Sequence, residues 1–247
     1  MYETTLRVKR EITPNLIYFQ FDRPSDFAFQ AGQFTRLGIM GEDGPVMRAY
    51  SIASTPTDPY IGFYISIVPN GQVTSRLAQL EVGQTALLDE VVQGSLLPSR
   101  IPGGQTLWMI ATGSGVAPFL SQLRDPMTWE KWSDIVLVHS VRTLEEARLT
   151  RELLDMDLPG ELTLVIATTR EDQPEDQKGD LSGRVPNLLE NGDLESHVGK
   201  VIAAETSRVM LCGNPQFIES MREVLKARQM ITPRMGNPGQ YIVENFW

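Results

Sequence analysis

Over the first hundred residues the apolar side chains fall in short, evenly spaced runs. Leu6 to Lys9, Leu16 to Phe21, Gln33 to Leu37, Tyr50 to Ile52 and Phe63 to Val68 are rich in β-branched and aromatic residues. Thr13-Pro14-Asn15, Gly41 to Pro45 and Pro69-Asn70-Gly71 punctuate them. That pattern predicts a small antiparallel β-barrel with one helix over Thr74 to Leu80. From Thr106 the rhythm changes. Leu107 to Ala111, Ile135 to His139, Leu162 to Ala167 and Val209 to Cys212 are continuous apolar runs. Helical patterns over Pro118 to Leu123, Leu144 to Leu154, Pro186 to Asn191 and Pro215 to Arg228 alternate with them. Strands apolar on both faces, alternating with helices, predict a doubly wound parallel α/β sheet. The Pro/Gly-rich segment Pro98 to Gly104 marks the joint, which divides the chain into a β-barrel domain over 1–101 and an α/β domain over 102–247.

Charge and cysteine count narrow the function. The 247 residues hold 22 Lys and Arg against 31 Asp and Glu, a formal charge of −9. Non-specific nucleic-acid binding needs clustered cations, so nucleic acid is not an expected partner. The single cysteine, Cys212, excludes an intrachain disulfide, a four-cysteine zinc site and a cysteine-ligated iron–sulfur cluster within this chain. No run approaches the ~18 apolar residues of a membrane span, and the N-terminus is charged from its third residue. A cytoplasmic protein with no membrane contact is the expectation. His139 and His197 make no metal constellation; His139, ending an apolar strand, reads as a satisfied core residue.

Gly113-Ser114-Gly115 stands between an apolar strand and a helix. Glycines there let backbone approach a pyrophosphate, and helix N–H groups favour anions. The pattern is not G-x-G-x-x-G, because Ala117-Pro118 replaces the third glycine, so taken alone it marks only a tight strand-to-helix turn.

Its company is more specific. Ala31-Gly32-Gln33-Phe34, Arg48-Ala49-Tyr50-Ser51, Ala111 to Pro118 and Cys212-Gly213-Asn214-Pro215, in that order, resemble the ferredoxin–NADP reductase family. The closing Val243-Glu244-Asn245-Phe246-Trp247 resembles its bacterial ferredoxin (flavodoxin)–NADP reductases, and the likeness spans essentially the whole chain. It implies two cofactors, FAD in the barrel and NADP(H) on the α/β sheet, with hydride passing between them.

For FAD, the resemblance points to Arg48, Ala49, Tyr50 and Ser51. Arg48 offers charge-assisted bonds to phosphate. Tyr50, two residues on, shares its side of the strand and can lie on a flat ring. Ser51 brings a hydroxyl near the flavin N5. The resemblance adds backbone of Ile65, Ser66 and Ile67, and the helix start at Gln72, Val73 and Thr74, with Thr74 or Ser75 as N-cap. It further adds Ser114 and the terminal aromatics Phe246 and Trp247, which would cover the cofactor.

For NADP(H), Arg142, Arg170 and Arg184 stand just past the ends of apolar strands or on the loop beyond them, where α/β sheets bind ligands. The resemblance implies that they clamp the adenosine 2′-phosphate, with Val141 and Thr169 alongside and Gly113 at the turn. Glu171-Asp172 beside Arg170 works against that charge. Gly213, Asn214 and Pro215 would lie by the nicotinamide, with Ser51, Cys212 and Glu244 nearest the reacting rings. Cys212 is expected to shape the pocket rather than act as a nucleophile.

Ferredoxin or flavodoxin is the implied one-electron partner of a monomer, with Lys9, Arg10, Arg23, Arg76, Arg222, Lys226 and Arg228 available as local cations. The same residues leave open a free-standing flavin reductase or a siderophore-iron reductase; a non-catalytic flavin- or NADP-binding regulatory module would lack the phosphate arginines, and this sequence keeps them.

Overall fold

A computed structural model of the chain describes residues 1–170, 174, 178–234 and 237–245. These form two compact units, one of Met1–Gly94 with Ala117–Asp125, the other of Ser95–Val116 with Pro126–Trp247. The Pro98–Gly104 segment falls in the second.

The first unit is a six-stranded antiparallel sheet: β1 (Tyr2–Thr13), β2 (Leu16–Asp22), β3 (Phe34–Gly41), β4 (Gly44–Ser51), β5 (Tyr60–Ser66) and β6 (Thr85–Gln93), in the order β4-β3-β6-β1-β2-β5. Ile52, just past the edge strand β4, bridges Phe63 of the opposite edge strand β5, which closes the barrel. Period-two alternation drives Leu6, Phe19, Phe21, Leu37, Phe63 and Leu88 into one core. β6 has no counterpart in the sequence reading, because Thr85 to Gln93 mixes apolar and acidic positions without strict alternation. The outer face of β2 is covered too. Tyr18 is buried there, and the missing side chain of Gly62 makes room, since a Cβ would stand 2.7 Å from the Tyr18 hydroxyl. Ser121 Oγ donates to the Ser54 carbonyl at 2.6 Å and Arg124 pairs with Asp58 at 3.0 Å, fastening residues 117–125 to the barrel.

The second unit is a six-stranded sheet of β7 (Thr106–Thr112), β8 (Asp134–Val141), β9 (Glu161–Thr168), β10 (Leu181–Ser182), β11 (Ser207–Gly213) and β12 (Tyr241–Asn245), ordered β10-β9-β8-β7-β11-β12 and parallel throughout. Strand order runs outward from β7 to β10, then restarts at β11 on the other side of β7. β7 and β11 therefore flank the switch point where such sheets bind ligands. Trp108, Ile110, Val136, Val138, Val165, Val209 and Leu211 pack on Leu188 and Leu189 of α5 (Val185–Glu190) and Phe217, Met221 and Leu225 of α7 (Pro215–Ala227). The remaining helices are α1 (Thr74–Gln79), α2 (Ala117–Leu123), α3 (Pro126–Lys131), α4 (Arg148–Arg151) and α6 (Asp193–Val198).

One helix differs from its sequence pattern. Leu144 to Leu154 is not a continuous α-helix but a 3₁₀ turn over Leu144–Ala147, α4, and a second 3₁₀ turn over Glu152–Asp155. Its buried side chains are Ala147, Leu149, Thr150 and Leu153.

Candidate functional site

In the first unit, β4 presents Arg48 and Ala49 to solvent and Tyr50 half-buried, and its last residue, Ser51, is buried. The Arg48 guanidinium donates to the Met47 carbonyl at 2.8 Å and, through Nη2, to Gln72 Oε1 at 3.4 Å, so strand and helix start are joined by the cation. Tyr50 sets its ring edge-on to Phe63 at 6.5 Å. Its hydroxyl is buried and, among the described residues, has no hydrogen-bond partner. Burial pushes the phenol up to about 12, with Arg48 pulling the other way. A buried, unpaired hydroxyl costs about 1–3 kcal/mol. A ligand accepting that bond beside the exposed Arg48 guanidinium removes the cost, and a dinucleotide phosphate is such a ligand. These residues fit an FAD.

The remaining first-unit candidates contribute backbone. Ile65 and Val73 are core residues, so only their main chain can face a ligand. The expected cap of α1 is corrected: Val73 is the N-cap, with no side-chain bond. Thr74 Oγ1 instead accepts from the Val68 amide at 3.1 Å and donates to the Val68 carbonyl at 3.3 Å, and Ser75 Oγ also donates to that carbonyl. Both hydroxyls close the Val68–Thr74 loop rather than the helix. Ser66 and Ile67 are half-buried at the strand end, where the Ile67 amide donates to the Asn15 carbonyl at 2.8 Å. Phe246 and Trp247 lie outside the described residues, as do Glu171 and Asp172.

In the second unit, Gly113-Ser114-Gly115 forms a 3₁₀ turn directly after β7. Gly113 adopts φ +51°, and a Cβ there would meet nothing within 4 Å. Gly115 is buried, and its Cβ would stand 2.7 Å from the Cys212 carbonyl oxygen. Gly213 is hemmed in by Thr112 Oγ1 and the Phe217 ring. The ends of β7 and β11 thus meet backbone to backbone at the switch point. Asn214 accepts from the Phe217 amide at 2.9 Å and Pro215 follows at the first turn, so both start α7.

The arginines expected to read phosphate lie past three neighbouring strands. The ladder of β8 and β9 continues beyond both: the Thr169 amide donates to the Val141 carbonyl at 2.9 Å and the Arg170 amide to the Arg142 carbonyl at 3.3 Å. Thr169 Oγ1 donates to the same Val141 carbonyl at 3.1 Å. Val141 and Thr169 therefore hold Arg142 and Arg170 in register, and Glu146 accepts from the Arg142 amide at 3.0 Å. Arg184 follows β10, whose Leu181 and Ser182 pair with Ala167 and Thr168 of β9. All three side chains are exposed, and the salt bridges of the described residues use none of them.

Cys212 is fully buried on β11, level with Glu244 on β12. Burial first, and Glu244 second, push the thiol well above its ordinary value. A thiol kept protonated is not a nucleophile.

Sequence reasoning missed the use to which His139 is put. It is fully buried, its Nε2 lies 2.9 Å from the Gly113 carbonyl oxygen, and its Nδ1 lies 2.8 Å from Thr150 Oγ1. Nothing in the local pattern links residue 139 to either. Three of the local cations have protein partners: Lys9 donates to the Ala78 carbonyl, Arg23 to the Phe27, Pro56 and Asp58 carbonyls, and Arg228 binds Glu195 and the carbonyls of Ile202 and Leu189.

Among the described residues no cluster of His, Cys, Asp and Glu could hold a metal ion, and no helix is long and apolar enough to cross a membrane.

Comparison with known proteins agrees with this layout. An oxidoreductase FAD-binding domain model matches residues 3–89, and an oxidoreductase NAD-binding domain model matches residues 109–223. The chain is 37% identical over 223 residues to the flavodoxin/ferredoxin–NADP reductase of Escherichia coli (strain K12), covering 89% of this chain and 88% of that one. It is 34% identical over 240 residues to the ferredoxin–NADP reductase of Azotobacter vinelandii, covering 93% and 91%. The crystal structure of a ferredoxin NADP+ reductase from Neisseria gonorrhoeae with bound FAD and NADP superposes with a TM-score of 0.92 at 34% identity, covering 99% of this chain and 98% of that one.

Proposed function

The chain belongs to the flavodoxin/ferredoxin–NADP reductase family, and we propose that its two units divide that reaction, the barrel holding FAD and the parallel sheet receiving NADP(H). It is an FAD-dependent oxidoreductase of that family. When bound, FAD supplies the chemistry, exchanging a hydride with the nicotinamide and single electrons with a carrier protein.

Arg48, assisted by Gln72, neutralises the FAD phosphates, and the buried Tyr50 hydroxyl finds its missing partner there. Ala49 and the backbone of Ile65, Ser66, Ile67, Val73 and Thr74 line the cofactor, and Ser51 offers its hydroxyl to the flavin. On the second unit, Gly113 lets the NADP(H) pyrophosphate approach main chain, and Gly213, Asn214 and Pro215 border the nicotinamide. Cys212 and Glu244, level with each other on β11 and β12, face the reacting ring. The uncharged thiol fills space without competing for hydride, and the Glu244 carboxylate favours the cationic, oxidised nicotinamide.

The observation that carries the preference for NADP(H) over NAD(H) is the row Arg142, Arg170, Arg184 past three adjacent strands, β8, β9 and β10. A 2′-phosphate needs that concentration of cations, whereas a bare ribose hydroxyl is served by a carboxylate. The carrier is a ferredoxin or a flavodoxin, and the protein works as a cytoplasmic monomer.

The test is diaphorase turnover of the purified yellow protein with NADPH and with NADH, repeated for Arg142→Ala, Arg170→Ala and Arg184→Ala. The reading requires a strong NADPH preference that each substitution erodes through KM. Equal use of both nucleotides, unmoved by the substitutions, overturns it.

A further inference from the structure

We propose that His139 is a positioning residue for the nucleotide turn: with Thr150 it holds the Gly113 carbonyl inward, and so fixes the Gly113–Ser114 peptide against which the pyrophosphate of NADP(H) lies. This rests on the assignment of the Gly113–Gly115 turn to that nucleotide.

The hydrogen-bond chemistry admits one arrangement. A carbonyl only accepts, so the His139 Nε2 facing the Gly113 oxygen at 2.9 Å carries the ring proton. Nδ1 then accepts from the Thr150 hydroxyl at 2.8 Å. The second bond fixes the tautomer that the first requires. Burial keeps the ring neutral, pushing its pKa down to about 4.

The consequence reaches the turn through peptide geometry. In a planar trans peptide the C=O and the N–H point in opposite directions. Anchoring the Gly113 oxygen on His139 therefore aims the Ser114 N–H away from the buried strand β8. Side-chain packing does not fix this orientation, because Gly113 has no side chain and a Cβ there, at φ +51°, would meet nothing within 4 Å. A glycine has large conformational freedom, and the His139 bond adds to the 3₁₀ turn in limiting it.

The experiment compares two ligands: NADP+, which carries a pyrophosphate, and adenosine 2′-monophosphate, which reports on the arginine row without one. Dissociation constants are measured for the holoenzyme and for Thr150→Val, His139→Leu and His139→Gln. The glutamine amide can donate at about the reach of Nε2. In Thr150→Val and His139→Leu the NADP+ constant rises about fivefold, the size of one net hydrogen bond. His139→Gln recovers most of the loss, and adenosine 2′-monophosphate binds all variants alike. If both ligands weaken together, or if NADP+ binding is unchanged, the proposal is wrong. Should His139→Leu fail to fold, Thr150→Val and His139→Gln decide by the same two constants. A wild-type protein that binds neither ligand would overturn the NADP assignment itself, and this proposal with it.

Discussion

A Cβ placed on Gly115 would stand 2.7 Å from the carbonyl oxygen of Cys212 and 3.1 Å from the Cα of Gly213. The turn after β7 thus presses on the end of β11 with no side chain between them, at the point where the strand order reverses.

Two glycines of one turn should therefore fail for different reasons. Gly115→Ala forces backbone apart, an overpacking cost of about 1–3 kcal/mol. Gly113→Ala meets no atom within 4 Å, and its cost is the left-handed φ of +51°, about 1–2 kcal/mol. Urea unfolding should show the larger shift for Gly115→Ala. NADP+ affinity should fall in both variants.

Tyr50 offers a test in which stability and binding move in opposite directions. Its hydroxyl is buried without a protein partner, so Tyr50→Phe should stabilise the FAD-free protein by about 1 kcal/mol. The same change should weaken FAD binding by roughly tenfold. Arg48→Ala should weaken FAD further without stabilising the apoprotein, because that side chain is exposed. Fluorescence of released flavin, paired with thermal melts of apoprotein, separates the two effects. Equal FAD affinity in wild type and Tyr50→Phe would remove Tyr50 from the site.

His139 makes the fold acid-sensitive. Its folded pKa, about 4, lies below the unfolded value near 6.5, so the unfolded chain binds the proton first. The stabilisation from a neutral His139 is complete above pH 6.5 and is lost as pH falls toward 4, by up to about 3 kcal/mol. His139→Gln should flatten that part of the stability profile, measured by urea midpoints between pH 7 and 5. An unchanged slope in the variant would assign the acid sensitivity elsewhere.

The sequence announced the two rhythms because period-two and continuous apolar runs are local properties of strands. Arg142 and Arg170 could be placed because strand ends are visible where apolar runs stop, whereas the two-residue β10 before Arg184 leaves no such run in the sequence. What it hid depends on tertiary neighbours. β12 is a five-residue strand whose pairing with β11 needs a partner some thirty residues away. The use of Thr74 Oγ1 on Val68 rather than on its own helix was invisible for a like reason, since a loop competes locally with a cap.

Arg228 separates surface charge from structural charge. By sequence it is one more cation at the end of α7, available to an acidic carrier. In the fold it binds both carboxylate oxygens of Glu195 and the carbonyls of Leu189 and Ile202, with 21% of its side chain exposed. Glu195 also accepts from the Ile202 amide at 2.7 Å, so one ion pair ties α5, α6 and the chain beyond them to the end of α7. A planar guanidinium reaches these acceptors together, and a lysine cannot. Arg228→Lys should therefore lower the unfolding free energy by about 1–3 kcal/mol, discounted from a fully buried pair for its partial exposure. KM for a ferredoxin or flavodoxin should not change. Steady-state carrier titrations beside urea melts test this, and a raised carrier KM with unchanged stability would return Arg228 to the docking surface.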